Sequence, residues 1–371
     1  MAAVGGRLDL QGLGRRFGTF AAVESCDLKV EGGEFVTLLG PSGSGKTTIL
    51  RMVAGFIRPS AGRIEIDGQD VRNVPAHRRN LGVVFQSYTL FPHMTAAENI
   101  AFPLQMRGVS REQQRRLVVE ALDRVRLKEV SDRHPQELSG GQQQRVAVAR
   151  ALVFGPRILL MDEPFGALDK RLREELQAEV RRLHQTLGVT VVFVTHDQAE
   201  ALAMSDRIAI MNGGRLEQVG TGSELYESPK SLFVADFMGE SNVFRGRLLA
   251  RGAARWVAGD GWEYPVGPSA QVDGVTPGDA VAMICRPERM RIARVDGTLS
   301  QPTCLVGRLT KTTYLGGISR HEISLREGRS VTVVTLGPDR SGAAPGDEVR
   351  VEWCADDTIV VPDTGPGGDT P

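Results

Sequence analysis

FVTLLGPSGSGKTTILRMVAG, Phe35 to Gly55, is the stretch on which the fold turns. Its first five residues form an apolar run that reads as a buried strand. Thr47 to Ala54 carries a helical pattern that stops near Gly55. Between them, Gly40, Gly45, Lys46 and Thr47 fill every fixed position of G-x-x-x-x-G-K-[ST]. The residue types state the chemistry. A loop of Gly40, Pro41, Ser42, Gly43, Ser44 and Gly45 lets backbone N–H groups curl around phosphate oxygens. The N-terminus of the helix adds a favourable field. Lys46 is expected to reach the β- and γ-phosphates and the Thr47 hydroxyl to ligate Mg²⁺, with Thr48 counted among the nucleotide-binding residues.

Working outward, RILLMDEP (Arg157–Pro164) reads as a second buried strand that ends in two carboxylates. A strand of this kind belongs to a two-sided sheet whose C-terminal edge opens on the ligand. Beside a phosphate loop, Asp162 is expected to meet Mg²⁺ directly or through water. Glu163 is expected to polarise the water that attacks the γ-phosphate. VTVVFVT (Val189–Thr195) is a third strand, ending at His196, which either contacts the γ-phosphate and orients Glu163 or is a surface turn residue. Asp197 and Glu200 have the spacing of a capping box at the start of the next helix. LGVVF (Leu81–Phe85) ends at Gln86, whose amide is placed to meet Mg²⁺ and the attacking water, or solvent alone.

Leu138-Ser-Gly-Gly-Gln142 opens a helical pattern, Gln143 to Phe154. Ser139 and Gln142 form a capping box, and Gly140 and Gly141 expose N–H groups at the positive end of the helix. Local physics leaves two readings: a helix cap, or a second phosphate cradle that serves the nucleotide of another copy.

The chain has 371 residues, with 45 Lys+Arg balanced by 45 Asp+Glu. Its length favours two domains, and its ordinary apolar and charged content excludes disorder, collagen and coiled coil. The longest apolar run is six residues, Ala280–Cys285, against the roughly 20 needed to cross a bilayer. The start has no signal-like apolar core. Cys26, Cys285, Cys304 and Cys354 are widely spaced and read as reduced thiols of a cytosolic protein. Residues 1–238 alternate strands and helices, as an α/β domain should, with a helical portion over about 87–138. There, Leu117, Ala121, Leu122 and Val125 recur at helical spacing. From 239 to 361, short alternating runs between Gly/Pro turns indicate a small all-β domain. The last residues, 362–371, read as a disordered tail.

This set resembles the ATP-binding subunit of an ABC transporter, a P-loop ATPase. The resemblance rests on GPSGSGKTT (40–48), Gln86, LSGGQQQR (138–145), ILLMDEP (158–164), ALD (167–169) and TH (195–196), in the family's order over about 240 residues. It implies ATP as substrate, Mg²⁺ as cofactor, and two copies packed head to tail. Ser139, Gly140, Gly141 and Gln142 would then act in trans, with Asp169 at the dimer contact. Phe17 would stack on adenine, with Phe20 as a neighbouring candidate. ICRPERMRI (284–292) and the preceding SPKSLFVADFMGESNVF (228–244) are similar to the OB-like (TOBE) domain and junction of importer ATPases. The layout is most similar to the spermidine/putrescine group, with iron(III) and other small-solute importers as neighbours. The implied partners are a second copy, transmembrane permease subunits and, indirectly, an external solute-binding protein, at the cytoplasmic face of the cell membrane. Tyr88, Leu90, Phe91, Pro92 and Met94 are expected either to line a groove for a short permease helix or to be local core. A soluble non-transport ABC ATPase is the rival from another class. Repair types need much longer inserts than the segment between Gln86 and Ser139, and translation types usually hold two ATPase halves. The OB-like domain and its RPE segment argue against an exporter. A nucleic-acid partner is not expected, given 5 % aromatic residues and no net charge.

Overall fold

The computed structural model describes residues 5–363 except 88, 167, 260, 269–271, 273, 296–302 and 326–327. Most of the expected tail and two motif residues, Tyr88 and Ala167, therefore lie outside the described residues. Contacts divide the chain into two units between Gly222 and Ser223.

The first unit begins with β1 (Leu8–Phe17), β2 (Phe20–Val23) and β3 (Leu28–Val30), followed by β4 (Phe35–Leu39) and α1 (Lys46–Ala54). Next come β5 (Ala61–Ile66), β6 (Gln69–Asp70), β7 (Gly82–Val84), α2 (Ala96–Gln105), α3 (Arg111–Arg124) and α4 (Gly140–Leu152). The unit closes with β8 (Ile158–Asp162), α5 (Lys170–Leu187), β9 (Thr190–Thr195), α6 (Gln198–Met204), β10 (Arg207–Asn212) and β11 (Arg215–Gly220). The central sheet runs β11-β10-β4-β9-β8-β7, parallel throughout except for the β10–β11 hairpin. A smaller antiparallel sheet has the order β2-β1-β5-β6, with β3 also on β1.

Alternation along the central strands explains why they read as continuous apolar runs. Val36, Leu38, Ile158, Leu160, Val192 and Val194 face α1 and the antiparallel sheet. Phe35, Leu159, Met161, Val191 and Phe193 face the cluster built from α2 to α5. Both sides are covered, so both parities are apolar. Within the helical portion, Ser110 caps α3, and Val118, Ala121 and Leu122 form its buried stripe. β4, β8 and β9 end together at one edge of the sheet, which brings the P-loop, Asp162 and His196 to the same place.

The second unit opens with α7 (Gly222–Glu227) and α8 (Leu232–Met238), the former straddling the division. It continues through β12 (Asn242–Arg251), β13 (Ala254–Gly259), β14 (Trp262–Val266), β15 (Ala280–Cys285), β16 (Arg291–Arg294) and β17 (Cys304–Tyr314). β18 (Ile318–Leu325), β19 (Ser330–Leu336), β20 (Glu348–Glu352) and β21 (Thr358–Pro362) complete it. Two antiparallel sheets, β14-β13-β12-β15-β21 and β16-β20-β17-β18-β19, share a core that includes Phe244, Val257, Met283, Leu309, Ile323, Val351 and Trp353. The division falls before 238 because of Arg286. Its buried guanidinium donates to the carbonyls of Tyr226 (3.1 Å), Ala235 (2.9 Å) and Gly239 (3.0 Å), fastening α7 and α8 to the β domain.

Candidate active site

The P-loop is shaped by backbone constraints. Gly45 caps α1 at φ 99°, and a Cβ there would lie 2.5 Å from the Ala22 carbonyl, so only glycine fits. Gly40 leaves β4, Ser42 and Gly43 are exposed at the tip, Ser44 is buried, and Thr47 and Thr48 sit half-buried in the first helical turn. The Lys46 ammonium is buried and donates to the carbonyls of Gly40 and Pro41, both at 2.8 Å. Burial pushes its pKa down, and the charges of Glu163 and Asp162 oppose that shift.

The Thr47 hydroxyl donates to Asp162 Oδ1 at 2.9 Å. The hydroxyl of the phosphate helix and the carboxylate at the end of β8 are thus neighbours. Burial holds the Asp162 carboxyl above its ordinary range, partly offset by the Thr47 hydrogen bond. Glu163 follows with φ 43°, a left-handed backbone in a non-glycine residue. Its N–H donates to the Val194 carbonyl at 3.0 Å, which fixes the turn to the end of β9. Its carboxylate lies 3.2 Å from His196 Nδ1 through Oε1 and accepts from Gln86 Nε2 at 3.4 Å through Oε2. Glu163, His196 and Gln86, from three separate strand ends, therefore meet at one carboxylate.

One local expectation changes. Asp197 caps α6 through the N–H groups of Ala199 and Glu200, but Glu200 does not return to the Asp197 backbone. The Thr195 hydroxyl accepts from Asp197 N at 3.0 Å and donates to the buried Glu200 at 2.6 Å. A hydroxyl already stood where the carboxylate of a full box would have bonded.

The second anion motif lies on α4. Ser139 is its N-cap, so the helix starts at Gly140 rather than at Gln143. Gln142 N donates to Ser139 Oγ at 3.3 Å, and Ser139 N donates to Gln142 Oε1 at 2.9 Å. This reciprocal cap consumes two donors and leaves the Gly140 and Gly141 N–H groups at the positive end of the helix. Ser139 and Gly140 are exposed, whereas a Cβ on Gly141 would press on Leu172 at 2.9 Å. Asp169 caps α5 by accepting from Leu172 N at 3.0 Å. Among the described residues, no hydrogen bond or ion pair joins Ser139, Gln142 or Asp169 to Lys46, Thr47, Asp162 or Glu163 of the same chain.

Phe17 ends β1 opposite Phe20, with the Arg15 guanidinium 4.4 Å from the Phe17 ring centre. Both rings are exposed, at 45 % and 64 %, so the geometry keeps both as candidates. Sequence reasoning missed Arg173. It donates to the Leu168 carbonyl (3.1 Å) and to Asp197 Oδ2 (3.3 Å), tying the Asp169 turn to the His196 turn. No motif announces it, because its partners are distant in sequence.

Residues 23–166 match the ABC transporter family model, and residues 283–361 match the TOBE domain model. The spermidine/putrescine import ATP-binding protein PotA of Frankia alni is 44 % identical over 377 residues, covering 97 % of this chain and 79 % of its own length. PotA of Chromobacterium violaceum is 46 % identical over 352 residues, covering 93 % of this chain and 96 % of its own. The dimeric structure of MJ0796, a bacterial ABC transporter cassette, superposes with a TM-score of 0.53 at 34 % identity over 58 % of this chain and 98 % of that one. The same cassette in a post-hydrolysis state with ADP and Pi gives a TM-score of 0.52 at 33 % identity, again over 58 % and 98 %. The chain belongs to the ABC transporter family, as a P-loop ATPase with a TOBE domain behind its cassette.

Proposed function

We propose that this chain is the ATP-hydrolysing subunit of an import complex that takes up a polyamine of the spermidine/putrescine class. The observation that carries the mechanism is the meeting of Glu163, His196 and Gln86 beside the Thr47–Asp162 pair, with the α4 N-terminus unconnected to them in the same chain. ATP phosphates lie against the P-loop N–H groups from Gly40 to Thr48, with Lys46 turned from its own carbonyls to the β- and γ-oxygens. Phe17 stacks on adenine. The Thr47 hydroxyl and the Asp162 carboxylate are hard oxygen donors 2.9 Å apart. Among the described residues, no cluster of three or more His, Cys, Asp or Glu could hold a metal by itself. That set fits Mg²⁺ arriving with the triphosphate and keeping some of its waters, with the Gln86 amide as a further oxygen donor. Bound there, Mg²⁺ supplies positive charge to the β- and γ-oxygens.

Glu163 accepts a proton from the attacking water. The water oxygen bonds to the γ-phosphorus, the bond to the bridging oxygen breaks, and ADP and phosphate result. His196 holds Glu163 in place and contacts the γ-phosphate. Ser139, Gly140, Gly141 and Gln142 of a second copy close over that phosphate, and Asp169 lies where the copies meet. The apolar stretch Leu90, Phe91, Pro92 and Met94 receives a short helix of a permease subunit, at the cytoplasmic face of the membrane. The permease in turn meets an external solute-binding protein. No helix among the described residues is long and apolar enough to cross a bilayer.

Mixing two inactive chains tests the head-to-tail arrangement. Lys46→Ala breaks the P-loop. Gly140→Asp places a carboxylate where phosphate should lie. It is tolerated by the fold, because a Cβ on Gly140 has its nearest neighbour at 3.6 Å. A mixed dimer contains one site with both faults and one with neither. Recovery of ATPase on mixing is expected. A mixture as inactive as its components would refute action in trans.

A further inference from the structure

The segment after Gln86 is not held as a loop usually is. Asn99, on the first turns of α2 and wholly buried, accepts from Phe91 N at 2.8 Å through Oδ1. Its Nδ2 lies 3.1 Å from the Phe91 and Met94 carbonyls and 3.0 Å from that of Thr95. Two amide hydrogens are thus shared among three acceptors, and both backbone groups of Phe91 are tied to one side chain. Arg150, on α4, donates to the Thr89 carbonyl at 2.9 Å and lies 5.6 Å from the Phe91 ring centre. The Phe91 ring itself packs on Phe102 of α2 at 4.6 Å. The same α2 N-terminus receives the carbonyls of Ser131 and Arg133, through the N–H groups of Ala97 (2.9 Å) and Ala96 (2.8 Å). Gln143 of α4 donates to the Pro135 carbonyl at 2.9 Å. The Thr89–Met94 segment and the Ser139 end of α4 are therefore fastened to one helical body. By contrast, Gln86 touches Glu163 through a single long bond of 3.4 Å.

We infer that Asn99 and Arg150 are positioning residues for energy coupling. They make the apolar segment a rigid extension of the helical body, so that a push on Phe91–Met94 by the permease moves the Ser139 end of α4 with it. Without them the loop yields and the push is lost. This rests on the docking role proposed above for that segment. A deformable loop cannot pass on a displacement, whereas a body with two arrangements can.

The test uses the assembled complex with its permease subunits and the chain alone. Asn99→Asp keeps the acceptor for Phe91 N and removes the donor to three carbonyls. Arg150→Gln removes the charged clamp on Thr89. In both variants, KM for ATP and the basal turnover of the chain alone should stay near wild type at temperatures where the chain is folded; Asn99→Asp should melt lower, because a buried carboxyl then faces three carbonyls. Stimulation of turnover by the permease should fall about fivefold or more. A folded variant that keeps full stimulation overturns the inference. So does a loss of basal turnover equal to the loss in the complex, or failure of both variants to fold, since either makes the residues merely structural. In a Cys354→Ser background, to remove the exposed thiol, His93→Cys should cross-link to the permease. A cross-link with stimulation unimpaired in the Asn99 and Arg150 variants sinks the inference alone. No cross-link in any nucleotide state refutes the docking role, and the inference with it.

Discussion

Replacing Glu163 by Gln separates the chemistry from the binding. The carboxylate makes two side-chain contacts, with His196 Nδ1 at 3.2 Å and Gln86 Nε2 at 3.4 Å. The substitution keeps one oxygen and turns the other into an NH₂ group. If the oxygen faces Gln86, the new N–H donates to a bare His196 Nδ1, and the neutral Nε2–H tautomer satisfies both contacts. If it faces the other way, one contact becomes donor against donor. The structural loss is then about 1 kcal/mol at most. The backbone at φ 43° is as costly for Gln as for Glu, so that strain cancels. ATP binding should survive, because a negative charge near the phosphates has been removed. What is lost is the proton acceptor, typically 10²–10⁴-fold in turnover, or about 3–5 kcal/mol of barrier. The assay is phosphate release under saturating Mg-ATP, with gel filtration of the same sample in ATP. Expected are a turnover reduced by about 10²-fold or more and an ATP-dependent dimer. A variant within about tenfold of wild type would refute the role given to Glu163.

Asp162→Asn should stabilise the chain without nucleotide while abolishing Mg-ATP turnover. Burial raises the carboxyl's pKa, so keeping it ionised at neutral pH costs folding free energy, and the amide removes that cost; a melting temperature below wild type would contradict this. His184 is buried, with Nε2 2.9 Å from the Gly33 carbonyl, and burial lowers its pKa from 6.5. The unfolded chain takes the proton first, so stability should fall as pH drops below about 6.5 towards the folded pKa. Thermal melts across that range should flatten in His184→Phe, and an unchanged slope would assign the pH dependence elsewhere. Arg286→Met should cost about 3 kcal/mol, because the carbonyls of Tyr226, Ala235 and Gly239 lose a charged donor. Faster proteolysis within residues 222–241 of the full chain would register it, and wild-type resistance would count against the clamp.

The legible features were those in which residue type dictates backbone or chemistry directly. Gly45 must be glycine for its φ and for the nearby Ala22 carbonyl, so the P-loop can be read one residue at a time. Apolar runs between β4 and β9 announce a sheet covered on both sides. Ser139 with Gln142 announces a cap, and the cap then fixes the helix start at Gly140. Features that depend on distant partners were silent. Nothing in the string Asp162-Glu163-Pro164 signals a left-handed Glu163; the Val194 carbonyl imposes it from the next strand. The capping spacing at Asp197 and Glu200 was a true local signal overridden by the Thr195 hydroxyl. Arg173 and Asn99 look like ordinary helix residues until their targets, twenty-four and eight positions away, are brought beside them. The junction at 228–244 gives no sign of its anchor either: Arg286, fifty-one positions beyond Ala235, binds that carbonyl and holds α8 to the β domain.

The division of labour along α4 bears on why fuel should join two copies. The capping box satisfies Ser139 N and Gln142 N within the chain, which orients the helix end before any anion arrives. What remains to offer is the field of that end and the N–H groups of Gly140 and Gly141. In the head-to-tail arrangement proposed above, a triphosphate held by Lys46 of one copy and closed over by this end of another would carry charge that neither surface neutralises alone. Each charge-assisted hydrogen bond is worth roughly 1.5–3 kcal/mol. Losing one at each of two symmetric sites when the γ-phosphate leaves weakens the pair by about 3–6 kcal/mol, or roughly 10²–10⁴ in Kd. Cleavage at Glu163 would thus undo the bond that made cleavage reachable. On the head-to-tail arrangement proposed above, an isolated chain would have no such cycle, because its Glu163 and its Ser139 would face different phosphates.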